Sequence, residues 1–445
     1  MTHKDQLGNT LTGATAAALP HYETALAELQ CYRGDPVASV NAAIKEAPGF
    51  VMAHVLKGWL NLLGTEPETL GYALKCHARA TEAAKGGVTE GEAGHIAAVE
   101  AMAKGYFMKA SRIMEDVTIA APHDALGLLA GHQIDFFTGQ SRLLRDRIGR
   151  AMPYWDDSMP GYHSMLGMYA FGLEETGDYA RAEAAGRRGV ELEQRDGWSQ
   201  HAVAHVLEMQ GRHADGVIWM EGNQQGWSGD SFLQIHNWWH LALYHLDVAD
   251  FDAVLKLYDD RIGGTHAAAV LDKLDASSLL WRLMLRGVEI GDRFQTMAEA
   301  WAPIAKAGNY AFNDAHAMMA FVGAGRADLV ETLLDAQTAT IALDIDNATA
   351  TRLVGRPVCE AFVAFGKGDY RCALDLLRPV RNHSWQFGGS HAQRDVIDLT
   401  MIEAAFRLGD RSLAAALANE RIVTKHESPL SQLLARRAGT AMFDD

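Results

Sequence analysis

Apolar positions along the chain fall three and four residues apart, in Ala-rich segments that come in pairs split by a short polar turn. The clearest turn and second segment read LEETGDYARAEAAGRRGVELE, beginning at Leu173. Leu166, Ala170 and Leu173 form an apolar stripe before the turn, and Ala182 follows it where a small residue lets two helices approach. Gly177 can supply the left-handed conformation that ends the first helix, and Asp178 is placed to cap the second. Alternation of apolar and polar residues never persists, so almost no strand is expected.

The same turn signal recurs at Gly34-Asp35, Gly64, Gly105-Tyr106, Gly139, Gly177-Asp178, Gly211, Ala249-Asp250, Gly291-Asp292, Gly325, Gly368-Asp369 and Gly409-Asp410. The spacings run from 30 to 43 residues and 34 recurs, which is the period of the tetratricopeptide repeat. Ala249 stands where glycine is usual, and Gly216 replaces the small alanine of its unit. The pattern predicts an all-α fold, a right-handed superhelical solenoid of about eleven tetratricopeptide-like helical hairpins that fold by stacking on one another. Residues 1–20 are expected to form an N-terminal tail or cap, 21–435 a single array and 436–445 a C-terminal tail. The aromatic and glycine-rich loops Met152–Tyr162 and Asn382–His391 are candidates for closing over a groove.

Charge narrows the partners. A net charge of −16 and a pI near 5.6 argue against nucleic acid or an anionic membrane, both of which need clustered Lys and Arg. The basic run RLLRDRIGR, Arg142 to Arg150, reads as a solvated helix face. Cys31, Cys76, Cys359 and Cys372 are dispersed, with no CxxC spacing, and read as reduced thiols. The N-terminus lacks a basic segment followed by an apolar one, and no apolar run approaches a membrane span. A cytoplasmic protein is expected.

The densest candidate chemistry lies between Ser199 and Asp260. His201, His205 and Glu208 fall at about 0°, 40° and −20° around one helix, so they share a face. His236, Trp239, His240 and Leu243 make a similar stripe on the first helix of the next pair. Aligned by their turns, His201 lies ten residues before Gly211 and His240 nine before Ala249, which predicts neighbours on the concave wall. Two imidazoles four residues apart can chelate a metal, yet the sequence is not HExxH, so His201, His205 and His240 are a weaker metal reading than a metal-free polar pocket or simple packing. His391 and Arg394 follow the Gly388-Gly389 loop at a helix start, where Arg can present a fork to an acid. Trp227, Trp238, Trp239, Trp281 and Trp385 line a pocket or pack between repeats. No phosphate loop, GxSxG elbow or cysteine-nucleophile signature appears.

HAVAHVLEMQGR, HNWWHLALYHLDVADFDAVLKLYD and GGSHAQRDV resemble blocks of the tetratricopeptide repeat protein 38 family. The resemblance implies the repeat fold. It picks out His201, His205, Glu208, Met209, Gln210 and Arg212 in the first block, and His236, Asn237, Trp239, His240, Tyr244 and His245 in the second. In the third it picks out His391, Gln393, Arg394 and Asp395.

Two readings stay open. The first is a repeat-type binding protein whose concave His/Trp/Glu-rich pocket recognises a small molecule or peptide, with Asn237, Trp239, Tyr244, His391, Arg394 and Asp395 as ligand contacts. The second is a hydrolase-like enzyme in which His201, His205, Glu208, His236 and His240 form the active site around a histidine base, with or without a metal. A homodimer is compatible with either. The sequence names no cofactor.

Overall fold

A computed structural model describes residues 2–439. Helix accounts for 75% of the chain, and among the described residues the strands are confined to one hairpin, so the fold is all-α. No helix among them is long and apolar enough to cross a membrane. The chain forms two compact units: 1–203 with 223–234, and 204–222 with 235–445. The boundary falls inside the helix Gly197–Met209.

In the first unit each helix packs on the next in sequence, as apolar stripes facing neighbours in the chain require. The pair Tyr162–Glu174 and Tyr179–Leu192 shows how. Leu166, Ala170, Phe171 and Leu173 are buried on the first helix, Gly177 turns the chain with φ 84°, and Ala182 is fully buried on the second. The amide of Asp178 bonds the carbonyl of Leu173, closing the first helix, and its carboxylate pairs with Arg181 instead of capping the second. Asp35 does cap its helix, accepting from the amide of Ala38.

The start of the chain forms a short hairpin. Thr2–Lys4 and Thr10–Thr12 pair antiparallel, with Thr2 opposite Thr12. Thr12 donates through its amide and hydroxyl to Glu92, each at 2.7 Å, and Leu11, Ala14 and Ala18 are buried. These strands are too short for alternation to announce them. The core of this unit also holds an ion pair with no solvent exposure, Asp135 with Arg147, which Ser111 joins through its hydroxyl and carbonyl.

In the second unit the helices Gln234–Asp247, Val270–Leu285, Ala311–Gly323 and Arg356–Gly366 hold the core. The helix Val270–Leu285 also packs against His391–Leu408, more than 100 residues on, where Trp281 Nε1 donates to Thr400 Oγ1 at 3.0 Å. The last helix, Pro429–Ala438, continues past the expected end of the array at 435, and the tail from 440 onward lies outside the described residues.

Two turns depart from the glycine rule. At the second turn the left-handed residue is Thr65, with φ 55°, rather than Gly64. Ala249 itself adopts φ 63°, a conformation that crowds a Cβ against the following carbonyl. Ala249→Gly is therefore expected to raise stability by about 1 kcal/mol in chemical denaturation, and an unchanged midpoint would show that the neighbouring turn absorbs the strain.

A buried carboxyl adds a pH dependence. Asp314 is held inside this unit with Gln337 Nε2 donating to it at 3.2 Å, and burial pushes its pKa up to about 7. A raised carboxyl pKa favours the fold only while protonated, so the penalty grows from about pH 4, the unfolded value, to pH 7. Asp314→Asn should leave stability nearly unchanged at pH 4 and raise it by about 4 kcal/mol at pH 8. Equal effects at both pH values in thermal melts would contradict this.

Candidate functional site

The second unit gathers its polar core where the start of Gln234–Asp247 meets the end of Gly197–Met209. On the first of these helices His236 and His240 lie one turn apart, and their ring centroids are 4.9 Å from each other. His205 comes from the second helix, with its ring centroid 4.4 Å from that of His240. One ring nitrogen from each of the three lies within 4.8 Å of the others. His205 and His240 have no solvent exposure.

Carboxylates orient two of these rings. Nδ1 of His240 donates to Glu208 Oε2 at 3.1 Å, and Nδ1 of His236 donates to Asp275 at 2.9 and 3.0 Å. A carboxylate only accepts, so each Nδ1 carries a proton, and in the neutral ring that leaves Nε2 as the lone-pair nitrogen. Trp239 fixes the other side: it stacks on His236 at 13° and its Nε1 donates to Ser278 at 3.1 Å.

Burial, with the adjacent His240 ring, holds the pKa of His205 well below the usual imidazole range. Burial, His236 and the Arg282 guanidinium do the same to His240. Both rings are therefore neutral at pH 7. A ring so reluctant to accept a proton is a poor general base, but neutral imidazole is the form that ligates metals.

Cations stand on the far side of Glu208. Lys425 Nζ lies 3.6 Å from Glu208 Oε1, so the carboxylate bridges a cation and an imidazole. Arg421 grips Asp395 with both terminal nitrogens. Burial opposes the charge on Asp395, yet Arg421 and Lys425 outweigh it and hold that carboxyl well below the usual range. Together with Tyr244 and Arg282 these groups enclose a cavity of about 40 Å³, room for a few waters and too small for a peptide.

The remaining expected residues are placed as follows. His201 sits one turn before His205, in the part of the helix that belongs to the first unit, where its ring stacks on Phe171 and packs against Trp198. Tyr244 donates its hydroxyl to the Ala204 carbonyl at 2.6 Å, and Asn237 is fully buried. Arg394 folds back on the carbonyls of Gly388 and Gly389 and reaches His391 Nδ1 at 3.5 Å. Trp227 and Trp281 are packed inside their units, while Trp385 is 40% exposed. Sequence reasoning did not find Asp275, Arg282, Arg421 or Lys425. A charge inside the apolar run of Val270–Leu285 was the one available signal, and it applies to Asp275 and Arg282.

No protein-family model matches the chain.

Proposed function

We propose that the second unit is a metal-binding centre in which His205, His236 and His240 hold a divalent transition-metal ion beside a small polar cavity. One observation carries this reading: three imidazoles converge, two of them fully buried, while Glu208 and Asp275 hold Nδ1 of two of the three, which is how carboxylates orient histidine ligands in metal sites. Such an ion, with a coordination position left open, would supply Lewis-acid chemistry toward a small polar ligand. Glu208 would then both orient His240 and connect it to Lys425 at the cavity wall.

This reading places the chain with the enzyme-like alternative, and a small molecule suits the cavity better than a peptide does. We also infer that the helix pairs are tetratricopeptide-like units of the kind found in the tetratricopeptide repeat protein 38 family. Sequential packing, left-handed turn residues and small residues at helix contacts support this; a Cβ on Gly216, for example, would sit 2.3 Å from the Tyr244 ring. Free thiols at all four cysteines support a reducing, cytoplasmic setting.

Titration of the untagged protein with Co²⁺ tests the centre. The proposal expects visible absorption that saturates at one equivalent and is lost in His236→Ala, while His213→Ala, altered on another helix, behaves as wild type. Identical spectra for His236→Ala and wild type would overturn it.

A further inference from the structure

A second cavity in this unit has a different chemistry. The cleft measures about 390 Å³, within the size range of small-molecule sites. Its apolar walls come from Leu285, from Leu399 on His391–Leu408, and from Leu430, Leu433 and Leu434 on Pro429–Ala438, with Leu246 and Phe251 alongside. Positions 430, 433, 434 and 437 recur at helical spacing, so one stripe of the last helix faces the cleft and ends in Arg437.

Charge sets this cleft apart from the rest of the chain. Arg282, Arg286, Arg407 and Arg437 line it against the single carboxylate of Glu403, so four positive charges less one negative leave +3 in a protein of −16 overall. Glu403 is already engaged twice, by Arg407 at 2.8 Å and by Arg437 at 2.5 Å. The other two guanidiniums bond carbonyls and lie over aromatic rings, Arg282 over Trp239 and Arg286 over Phe251. Arg282, 2% exposed, donates to the carbonyls of Ser278, Ala392 and Gln393. Arg286 donates weakly to Leu246 O at 3.4 Å and lies over the Phe251 ring. Neither makes an ion pair among the described residues. The carboxylates that offset their burial act at longer range, Asp395, Glu208 and Asp275 on Arg282 and Asp247 and Glu403 on Arg286, so an oxyanion in the cleft would be the first counter-ion in direct contact with either guanidinium.

We infer that this cleft binds a small amphipathic anion, whose apolar body lies along Leu430, Leu433 and Leu434 and whose carboxylate or phosphate group is held by Arg286 and Arg282. Guanidinium forks suit either oxyanion, and the leucines suit a flexible chain or a ring. The inference uses none of the three histidines, although Arg282 also lines the small cavity beside them.

Calorimetric titration of the full chain with decanoate, decyl phosphate, decanol and inorganic phosphate tests it. The inference expects saturable one-to-one binding of at least one decyl anion, at least about tenfold tighter than decanol and than inorganic phosphate, since the site needs both charge and chain. The better of decanoate and decyl phosphate then identifies the head group. Arg286→Gln should weaken the anion about tenfold and leave decanol unchanged. Leu433→Glu, at a position 39% exposed where folding is not at stake, should abolish anion binding by placing a carboxylate among the arginines. Decanol binding as tightly as the anions, or anion binding unchanged in Leu433→Glu, would overturn the inference, as would no binding of either decyl anion.

Discussion

Asp135→Asn is expected to cost the first unit about 3–5 kcal/mol. The side chain keeps its shape, but Arg147 loses its counter-charge where neither group has any solvent exposure. Asp135 accepts from Arg147 Nε at 2.7 Å and Nη2 at 3.0 Å, and from the Ser111 hydroxyl. The guanidinium has no room to escape: a Cβ added at Gly131 would come within 2.7 Å of it, so the facing helix already touches it. Asparagine keeps an acceptor at only one of the two carboxylate positions and puts an amide donor at the other, against a cation or its hydroxyl partner. The double variant Asp135→Leu with Arg147→Met removes both charges and should recover most of the loss. Urea denaturation of the two variants beside wild type is the check. A single-variant cost under about 1 kcal/mol would mean that water reaches the pair.

Glu208→Gln carries the second large effect, on metal affinity rather than on folding. Glutamine can still accept from His240 Nδ1, so the ring stays in place, but the negative charge that raises the ligand's basicity is gone. Lys425 also loses the carboxylate that balances it. Affinity for Zn²⁺, measured by competition with a chromogenic chelator, should fall about 10- to 100-fold, while the melting temperature of the metal-free protein stays close to wild type. A variant that melts early yet binds Zn²⁺ normally would assign Glu208 to packing.

Much of the helical pairing was legible because it is local. Gly177 and Ala249 mark turns whose residues are in fact left-handed, and Ala182 is buried at the expected contact. Thr65 was missed because glycine beside it drew the turn one residue early. The N-terminal hairpin was missed because three-residue strands carry no periodicity, and the Glu92 contact that fixes it is 80 residues away.

The candidate site divides in the same way. Turn alignment paired His201 with His240 on successive helices, and on those helices the side chains that hydrogen-bond are Glu208 and His240. Periodicity within a pair is blind to what the rest of the chain brings back. Asp275 meets His236 from 39 residues on, and Lys425 reaches Glu208 from a helix end more than 200 residues on. Arg282 bonds the carbonyls of Ala392 and Gln393 across 110 residues, because Val270–Leu285 packs against His391–Leu408 out of sequence order.

The most direct test of the histidine centre is the metal content of the untagged protein by plasma mass spectrometry, after loading with Zn²⁺ and desalting. The account predicts close to one zinc per chain in wild type and close to none in His240→Ala with its fold intact. Wild type that retains no more zinc than His240→Ala would contradict it.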